Sequence, residues 1–331
     1  MASVQFSAAA RLRGRPGRGS LAGYLYLAPA AVLLAAFHIY PLFYGAYVSL
    51  FRWGLTREAF VGLSNYRALL HDADFWRALL VTAYYVIGVV PAEIVLGFTV
   101  AYLLSQRIHG RAAYRLVYFL PYITSMVAMG LVWSWIFNAN FGLLNSLLRF
   151  LNLQTPRWLL EPRSILALLH FGRGFFAAGP SLALVCVMAV TIWYYTGFHA
   201  VVYLAGLTAI PTEIHEAARL DGAGGFGLLR RITLPLVSPT TFFLAVVATI
   251  GAVQSFAIVY TLTGGGVSGG AEAGGPLGTT RVVTLFIFTT FYTEFRVGYA
   301  TAAAFVVFAI LLALTALQMR IGERRVHYLG G

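Results

Sequence analysis

Three groups of residues in this chain combine side-chain types and spacings that have chemical consequences. The first is the stretch Ile210–Pro239, IPTEIHEAARLDGAGGFGLLRRITLPLVSP, in which Glu213, Glu216, Arg219, Asp221, Arg230 and Arg231 stand among small residues between two strongly apolar runs. Pro211 and Thr212 suit a helix start, proline at the first helical position and threonine at the cap. Glu213 and Glu216 then fall where the helix dipole favours negative charge. Ala217 and Ala218 leave a smooth face for the close approach of another protein, and Gly222, Gly224 and Gly225 stop the helix and permit a sharp turn. A second, amphipathic helix is expected from Phe226 to about Leu234, ended by Pro235. The segment reads as a docking surface rather than a plain loop.

The second group is a single carboxylate, Glu93, placed in the middle of the apolar run VVPAEIVLG. An ionisable residue inside a membrane span is costly, which makes it a functional-site candidate. A protonated or hydrogen-bonded glutamate facing another helix is the reading we favour over a pathway role. The third group is aromatic and polar: Trp193, Tyr194, Tyr195, Phe198 and His199 in one apolar run, and Gln254 and Ser255 in the next. Aromatic faces beside hydroxyls suit sugar rings, apolar on the face and hydrogen-bonding at the rim. Ordinary helix packing explains the same aromatic residues. Gln254 and Ser255 must find partners away from water.

Several chemistries are excluded. All 23 basic residues are arginine. With no lysine the chain cannot carry GxxxxGK[ST], whose lysine reaches the terminal phosphates of a nucleotide. The glycine-rich run Gly264–Gly278 follows an apolar run and reads as an outer loop, not a phosphate cradle. HExxH, paired CxxC and GxSxG are missing, so we expect no catalytic residue, no metal site and no cofactor held by this chain. The single Cys186 lies inside an apolar run and offers no intrachain disulfide.

The elements that position these groups follow from composition. Hydrophobic residues make up 60% of the chain and charged ones 10%, where a soluble domain carries ~25% charged residues. Mean hydropathy is +0.78. This is an integral membrane protein. Spans are expected at about Tyr24–Leu50, Leu79–Leu104, Tyr118–Ile136, Leu182–Leu207, Phe242–Leu262 and Tyr299–Leu317, with a shorter apolar piece at Val282–Tyr292. Pro29 and Pro41 are expected to bend the first, which is too long for a signal peptide core and lacks a cleavage site. His38 reads as interfacial or structural. The organisation is a disordered basic tail over 1–20, a first span and outer loop over 21–76, a core over 77–318, and a second tail over 319–331.

A net charge of +12 reflects orientation rather than nucleic-acid binding. Thirteen of the arginines cluster in the N-terminal tail, the link holding Arg107, Arg111 and Arg115, the Ile210–Pro239 stretch and the C-terminal tail. The remainder are spread over longer loops among acids. Positive charge near short loops marks the cytoplasmic side. Six spans with both termini cytoplasmic is the consistent reading, and it puts Ile210–Pro239 on the same side.

EAARLDGAGGFGLLRRITLP resembles the EAA motif of the membrane permeases of binding-protein-dependent ABC importers: EAA, three residues, Gly, nine residues, Ile, one residue, Leu-Pro. Glu216, Ala217, Ala218, Gly222, Ile232, Leu234 and Pro235 fill the pattern in register, with Asp221 beside the glycine. YPLFYGAYVSLFRW, FVGLSNYRALLHDADFWRALL, YFLPYITSMVAMGLVWSWIFN, FGLLNSLL, YLAGLTAIP and VYTLTGGG extend the likeness over about Tyr24–Arg320. Together they are similar to the carbohydrate branch, and to the first permease subunit of sugar and glycerol-3-phosphate importers.

That resemblance implies an all-α polytopic membrane protein, a six-helix MetI-like bundle of the type-1 importer class in a bacterial or archaeal cytoplasmic membrane. It also implies a coupling helix at about 210–235 seated in a separate ATPase subunit. The partners would be two such ATPases carrying ATP and Mg, a second permease subunit, and an extracytoplasmic solute-binding protein. By family position, Tyr195, Phe198, His199, Gln254 and Ser255 would meet the sugar. A secondary transporter using Glu93, or a permease for a non-sugar solute such as glycerol-3-phosphate, are the other readings. The chain departs from the family at Leu169–Ala189, where it is longer, which leaves the start of the fourth span open.

Overall fold

The computed structural model describes residues 19–106, 108–168, 179–264 and 273–322. Most of the basic tail, Arg107, residues 169–178 at the start of the Leu169–Ala189 segment, residues 265–272 of the Gly264–Gly278 segment and most of the C-terminal tail lie outside the described residues.

The first apolar run is a helix in two parts, α1 (Gly19–Leu34) and α2 (Tyr40–Ser49), joined by a π-helical turn at Ala35–Ile39. Pro29 sits inside α1 and Pro41 in the first turn of α2. The wider turn in front of Pro41 takes up the place where proline's missing N–H would leave a gap. Most of this helix is exposed, and it touches the bundle through Gly45, beside Thr301 and Phe305. A short hairpin that the sequence did not announce follows, β1 (Phe51–Trp53) paired antiparallel with β2 (Arg57–Phe60). Next come α3 (Ser64–Leu70) and α4 (Ala73–Ser105). The Asp72 carboxylate caps α4 by accepting from the N–H groups of Asp74 and Phe75. At 1.5 Å per residue α4 is ~50 Å long, against ~30 Å of hydrocarbon, so it projects beyond the bilayer.

The third expected span is not straight. It consists of α5 (Arg111–Ile123) and α6 (Met126–Ile136), bent by 96°. Thr124 and Ser125 are extended, and the loosened carbonyls find hydroxyl partners: Pro121 takes the Thr124 hydroxyl at 2.6 Å. Tyr194 donates to the carbonyls of both Tyr122, at 3.2 Å, and Thr124, at 3.0 Å. In a bilayer, non-helical backbone survives only where protein satisfies it in this way.

After α7 (Leu143–Phe150) and α8 (Ile165–Leu168), α9 (Leu182–Thr208) starts where the sequence expected it, with the Ser181 hydroxyl accepting from the Leu184 N–H. Three short helices follow, α10 (Thr212–Leu220), α11 (Gly225–Leu228) and α12 (Leu234–Leu236). The fifth expected span is also shorter than its apolar run. α13 (Ser238–Val253) stops at Gln254, and α14 (Ala257–Thr263) resumes after a break in which Phe256 is non-helical. Finally α15 (Val283–Tyr292) is too short to cross, and α16 (Val297–Gly322) is a full span. Four described helices are long and apolar enough to cross a membrane, or up to six if each bent pair counts as one.

The centre of the bundle is α4 against α9. They run parallel: the Tyr85 hydroxyl meets Thr191 at 2.8 Å, and further along Phe98 packs on Tyr203. Membrane helices gain little from burying apolar surface against one another, so close crossings depend on small residues. At Gly97 any Cβ would fall on the Cβ of His199, and at Gly197 on the backbone of Tyr118 in α5. α13 and α16 run antiparallel, with Gln318 donating to Thr249 at 2.9 Å and Gly322 against Phe242. These contacts gather the α5 start, α10–α12 and the α16 end at one end of the bundle. The hairpin, α3, α15 and the starts of α4, α9 and α16 lie at the other.

Candidate functional site

The polar island is built as a helix, a turn and a second helical run. Pro211 precedes α10 and Thr212 is its first residue, the reverse of the expected order, and neither supplies a side-chain cap. Glu213, Glu216 and Ala217 are exposed, and Ala218 is half-buried. α10 ends in a Schellman turn: the Gly222 N–H donates to the Arg219 carbonyl at 3.1 Å, and the Ala223 N–H to the Ala218 carbonyl at 2.9 Å. Gly222 is the left-handed residue this turn requires, with φ +83°. Leu220 and Phe226, on either side of the turn, are 89% and 75% exposed. Two large apolar side chains therefore project from a charged surface without cover from the described residues.

Beyond α11 the backbone passes through a π-helical turn, Leu229–Thr233, directly into α12. Pro235 does not end a helix, contrary to expectation. It lies in the first turn of α12, where the preceding wide turn removes the need for its N–H. The helical path bends by 63° and continues into α13. Thr233 is buried and ties the turn down, donating to the Leu228 carbonyl at 3.3 Å and lying 3.5 Å from His215 Nε2 on α10. Ala218, Asp221, Gly222 and Ile232 come together with Phe226, Arg230 and Arg231 around an open depression of about 750 Å³. Leu234 faces a separate depression of about 400 Å³ between α13 and α16.

The intramembrane residues form a second cluster. Glu93 on α4 and His199 on α9 are both buried, with Glu93 Oε2 3.8 Å from His199 Nε2. The Nδ1–H of His199 donates to the Tyr195 carbonyl at 2.9 Å, which turns Nε2 toward the carboxylate. Neither Glu93 Oε1 nor His199 Nε2 has a hydrogen-bond partner among the described residues. Tyr122 stacks on Phe198 with ring centres 4.9 Å apart and lies 5.8 Å from the rings of both Tyr194 and Tyr195. Ser255 joins through Tyr85, whose hydroxyl is 3.1 Å from Ser255 Oγ. Gln254 does not join this cluster and is exposed at the head of the break. Tyr85 and Tyr122 were missed, and Tyr194 was named only as part of an aromatic group, because nothing in an apolar run distinguishes a tyrosine that stabilises a distant break from one that merely packs.

At the opposite end, the Asp72 carboxylate accepts a hydrogen bond from the Tyr299 hydroxyl, and Arg296 lies over the Tyr299 ring at 4.0 Å. Partial burial works to raise the Asp72 pKa, but the bonds from Tyr299 and from the N–H groups of Asp74 and Phe75, with the charge of Arg296, hold it below its ordinary value. Glu294 bridges Arg281 and Arg296 at 3.6 and 3.7 Å. Beside them, Asp74, Arg77, Leu277 and Arg281 border a depression of about 750 Å³. Among the described residues no group of three or more His, Cys, Asp or Glu side chains is placed to hold a metal ion.

Comparison with known proteins bears on both ends of the molecule. The family described as "Binding-protein-dependent transport system inner membrane component" matches residues 93–328. The chain is similar to the probable ABC transporter permease protein YurN of Bacillus subtilis, 33% identical over 90% of this chain and 94% of that one. It is 30% identical to the trehalose/maltose transport system permease protein MalF of Thermococcus litoralis, over 92% and 94% of the two chains. The sulfoquinovosyl glycerol permease SmoG of Agrobacterium fabrum is also 30% identical, over 91% and 90%. The fold is that of a chain in a crystal structure of a bacterial alginate ABC transporter, at a TM-score of 0.73 and 20% identity over 93% of this chain and 96% of that one.

Proposed function

We propose a role that proceeds from one premise: this chain belongs to the family of binding-protein-dependent transport system inner membrane components. It is a multi-pass permease of an ABC importer for a sugar or related substrate. Its partners are a second permease subunit, two ATPase subunits and an extracytoplasmic solute-binding protein, in a bacterial or archaeal cytoplasmic membrane. Both termini are cytoplasmic. ATP and Mg bind the ATPases, and this chain holds no cofactor of its own.

The observation that carries the coupling role is the uncovered apolar pair Leu220 and Phe226 at a tightly built turn, beside the depression that Ala218, Asp221, Gly222 and Ile232 share. Such a surface suits a protein partner. Glu216 and Ala217 lie next to it on α10, and Leu234 and Pro235 lie on the helical run that leads into α13. The half-buried rings of Tyr122, Tyr195 and Phe198, two of which carry hydroxyls, offer chemistry that suits carbohydrate. Glu93 faces His199 inside the helix pair, which favours a role in holding α4 to α9 over a proton path.

The test uses the assembled transporter in proteoliposomes. Glu216→Lys and Gly222→Asp weaken ATPase association, or uncouple substrate-stimulated hydrolysis, while the protein still inserts. Normal stimulated hydrolysis in either variant would falsify the coupling assignment.

A further inference from the structure

We propose that the crevice between α4, α5, α6 and α9 binds one anionic phospholipid, its phosphodiester held by Arg111 and Arg115 and one acyl chain lying along the apolar floor. The crevice measures about 850 Å³ and is walled by Leu96 and Val100 of α4, Val117 and Leu120 of α5, and Ile192 and Trp193 of α9. Its α5 wall is open on the outer side, where Val117 and Leu120 are exposed. In a bilayer such a space fills with hydrocarbon, and that alone selects no particular lipid.

The selection comes from what stands at one end. Arg111 and Arg115 are four residues apart, and Tyr118, which lines the crevice, is three further on, so helical periodicity sets all three on one face of α5. Arg115 is ~4.5 Å along the axis from Tyr118, within reach of a headgroup whose chain enters the crevice. Neither arginine forms an ion pair among the described residues. Among the described residues the Nε–H of Arg111 is buried without a hydrogen-bond acceptor, a costly state for a guanidinium donor. α5 also opens at Gly110 with no side-chain cap and no acidic residue in its first turn, leaving amide N–H groups at its positive end. A phosphodiester at this end of the crevice would pair with the exposed Arg115 and the terminal nitrogens of Arg111, since guanidinium pairs with phosphate in two-point geometry. A zwitterionic headgroup brings its own cation against the arginines, whereas phosphatidylglycerol does not. A protein partner covering the crevice would have to supply acids at this same end. The inference depends on the chain spanning a membrane and not on the transport reading.

Native mass spectrometry of the delipidated full chain, offered equal POPG and POPC, tests it. Near-surface arginines favour anionic lipid about fivefold each, hence about thirtyfold for the pair. We expect a POPG adduct over POPC on that scale. It should be lost in Arg111→Gln/Arg115→Gln, lost in Leu120→Trp, which fills the crevice without touching charge, and kept in Arg149→Gln at the far end. Equal retention of the two lipids, or POPG preference unchanged in the double arginine variant, overturns the proposal. The arginine variant alters a half-buried and an exposed side chain, so it stays informative if the tryptophan variant fails to fold. A photo-crosslinker at Val117 in native membranes separates the occupants: lipid adducts support the proposal, and a protein adduct refutes it.

Discussion

Replacing Gly222 by alanine isolates one requirement of the α10–α11 turn. A Cβ at this position meets nothing within 4 Å, so no clash contributes to the cost. What remains is the intrinsic penalty of a left-handed conformation for a residue with a Cβ, ~1–2 kcal/mol. Gly224 is the control. It is equally open, but its φ of −71° and ψ of 169° suit any residue. Alanine there gains ~0.4–1 kcal/mol through a less disordered unfolded state, offset by the preference for glycine over alanine at the N-cap of α11, and should be close to neutral. The two substitutions add the same methyl group to the same turn and differ only in the torsion each must adopt.

The cost falls on the Gly222 N–H to Arg219 and Ala223 N–H to Ala218 bonds, which close the last turn of α10. A loss of 1–2 kcal/mol raises the population of the opened turn by ~5–30-fold. Hydrogen exchange on peptides covering 212–228 should report faster exchange by that factor in Gly222→Ala, and unchanged or slower exchange in Gly224→Ala. Gly222→Asn should fall between, because asparagine visits the left-handed region more readily. If Gly222→Ala and Gly224→Ala exchange alike, the torsion is not what holds the turn, and the argument that Gly222 sets the angle between Leu220 and Phe226 fails.

Three further outcomes are expected. Asp72→Asn keeps a good N-cap but removes the charge that Tyr299 and Arg296 hold. A carboxyl depressed in the folded state stabilises above its unfolded pKa, near 3.8, and loses that contribution as pH falls through the lower folded value; thermal unfolding across pH should show the variant less stable at neutral pH, the difference shrinking under acid. Tyr194→Phe strips the donor from the carbonyls of Tyr122 and Thr124 and should cost ~1–3 kcal/mol, seen as a lowered Tm in detergent; an unchanged Tm would mean the α5–α6 bend is held elsewhere. Tyr85→Phe removes the hydroxyl between Thr191 and Ser255, and should reduce substrate stimulation of hydrolysis while leaving ATPase association intact; weaker association instead would contradict the role argued for it below.

What the sequence disclosed was governed by cost. Charges are expensive in an apolar chain, so the island at Ile210–Pro239 stood out and is where it was expected, whereas the start of α9, with no charge to mark it, was left open and falls at Leu182. The breaks at Thr124–Ser125 and Gln254–Phe256 did not stand out. The residues on both sides are as apolar as a continuous span, and the groups that make each break tolerable are distant in sequence: Tyr194 for the first, Tyr85 and Thr284 for the second. Proline misled for a related reason. Pro235 reads as a stop because its missing N–H breaks a helix ladder, but a π turn ahead of it changes which carbonyl needs a donor. Pattern reports what each residue prefers alone, and these features depend on what a remote residue supplies.

The second break also determines how the two ends of the chain can communicate. From Gly225 the backbone is helical through the π turn and the 63° bend to Val253, so a displacement of the α10–α11 surface enters α13 without passing through a loose loop. The first place it can be absorbed is Gln254–Phe256. There Ser255 is held on two sides, its hydroxyl against Tyr85 of α4 and its carbonyl accepting from Thr284 of α15. Tyr85 reaches in turn to Thr191 of α9, one turn before Tyr195 and two before Phe198. Apolar contacts tolerate sliding with little change in energy, whereas hydrogen bonds weaken steeply when their angles or lengths change. A break joined to its neighbours by hydroxyls therefore responds to tilt in α13 where a packed apolar span would yield. Proximity alone does not establish coupling, and what distinguishes this route is that its one connecting hydroxyl, that of Tyr85, can be removed without disturbing the ring that fills the core.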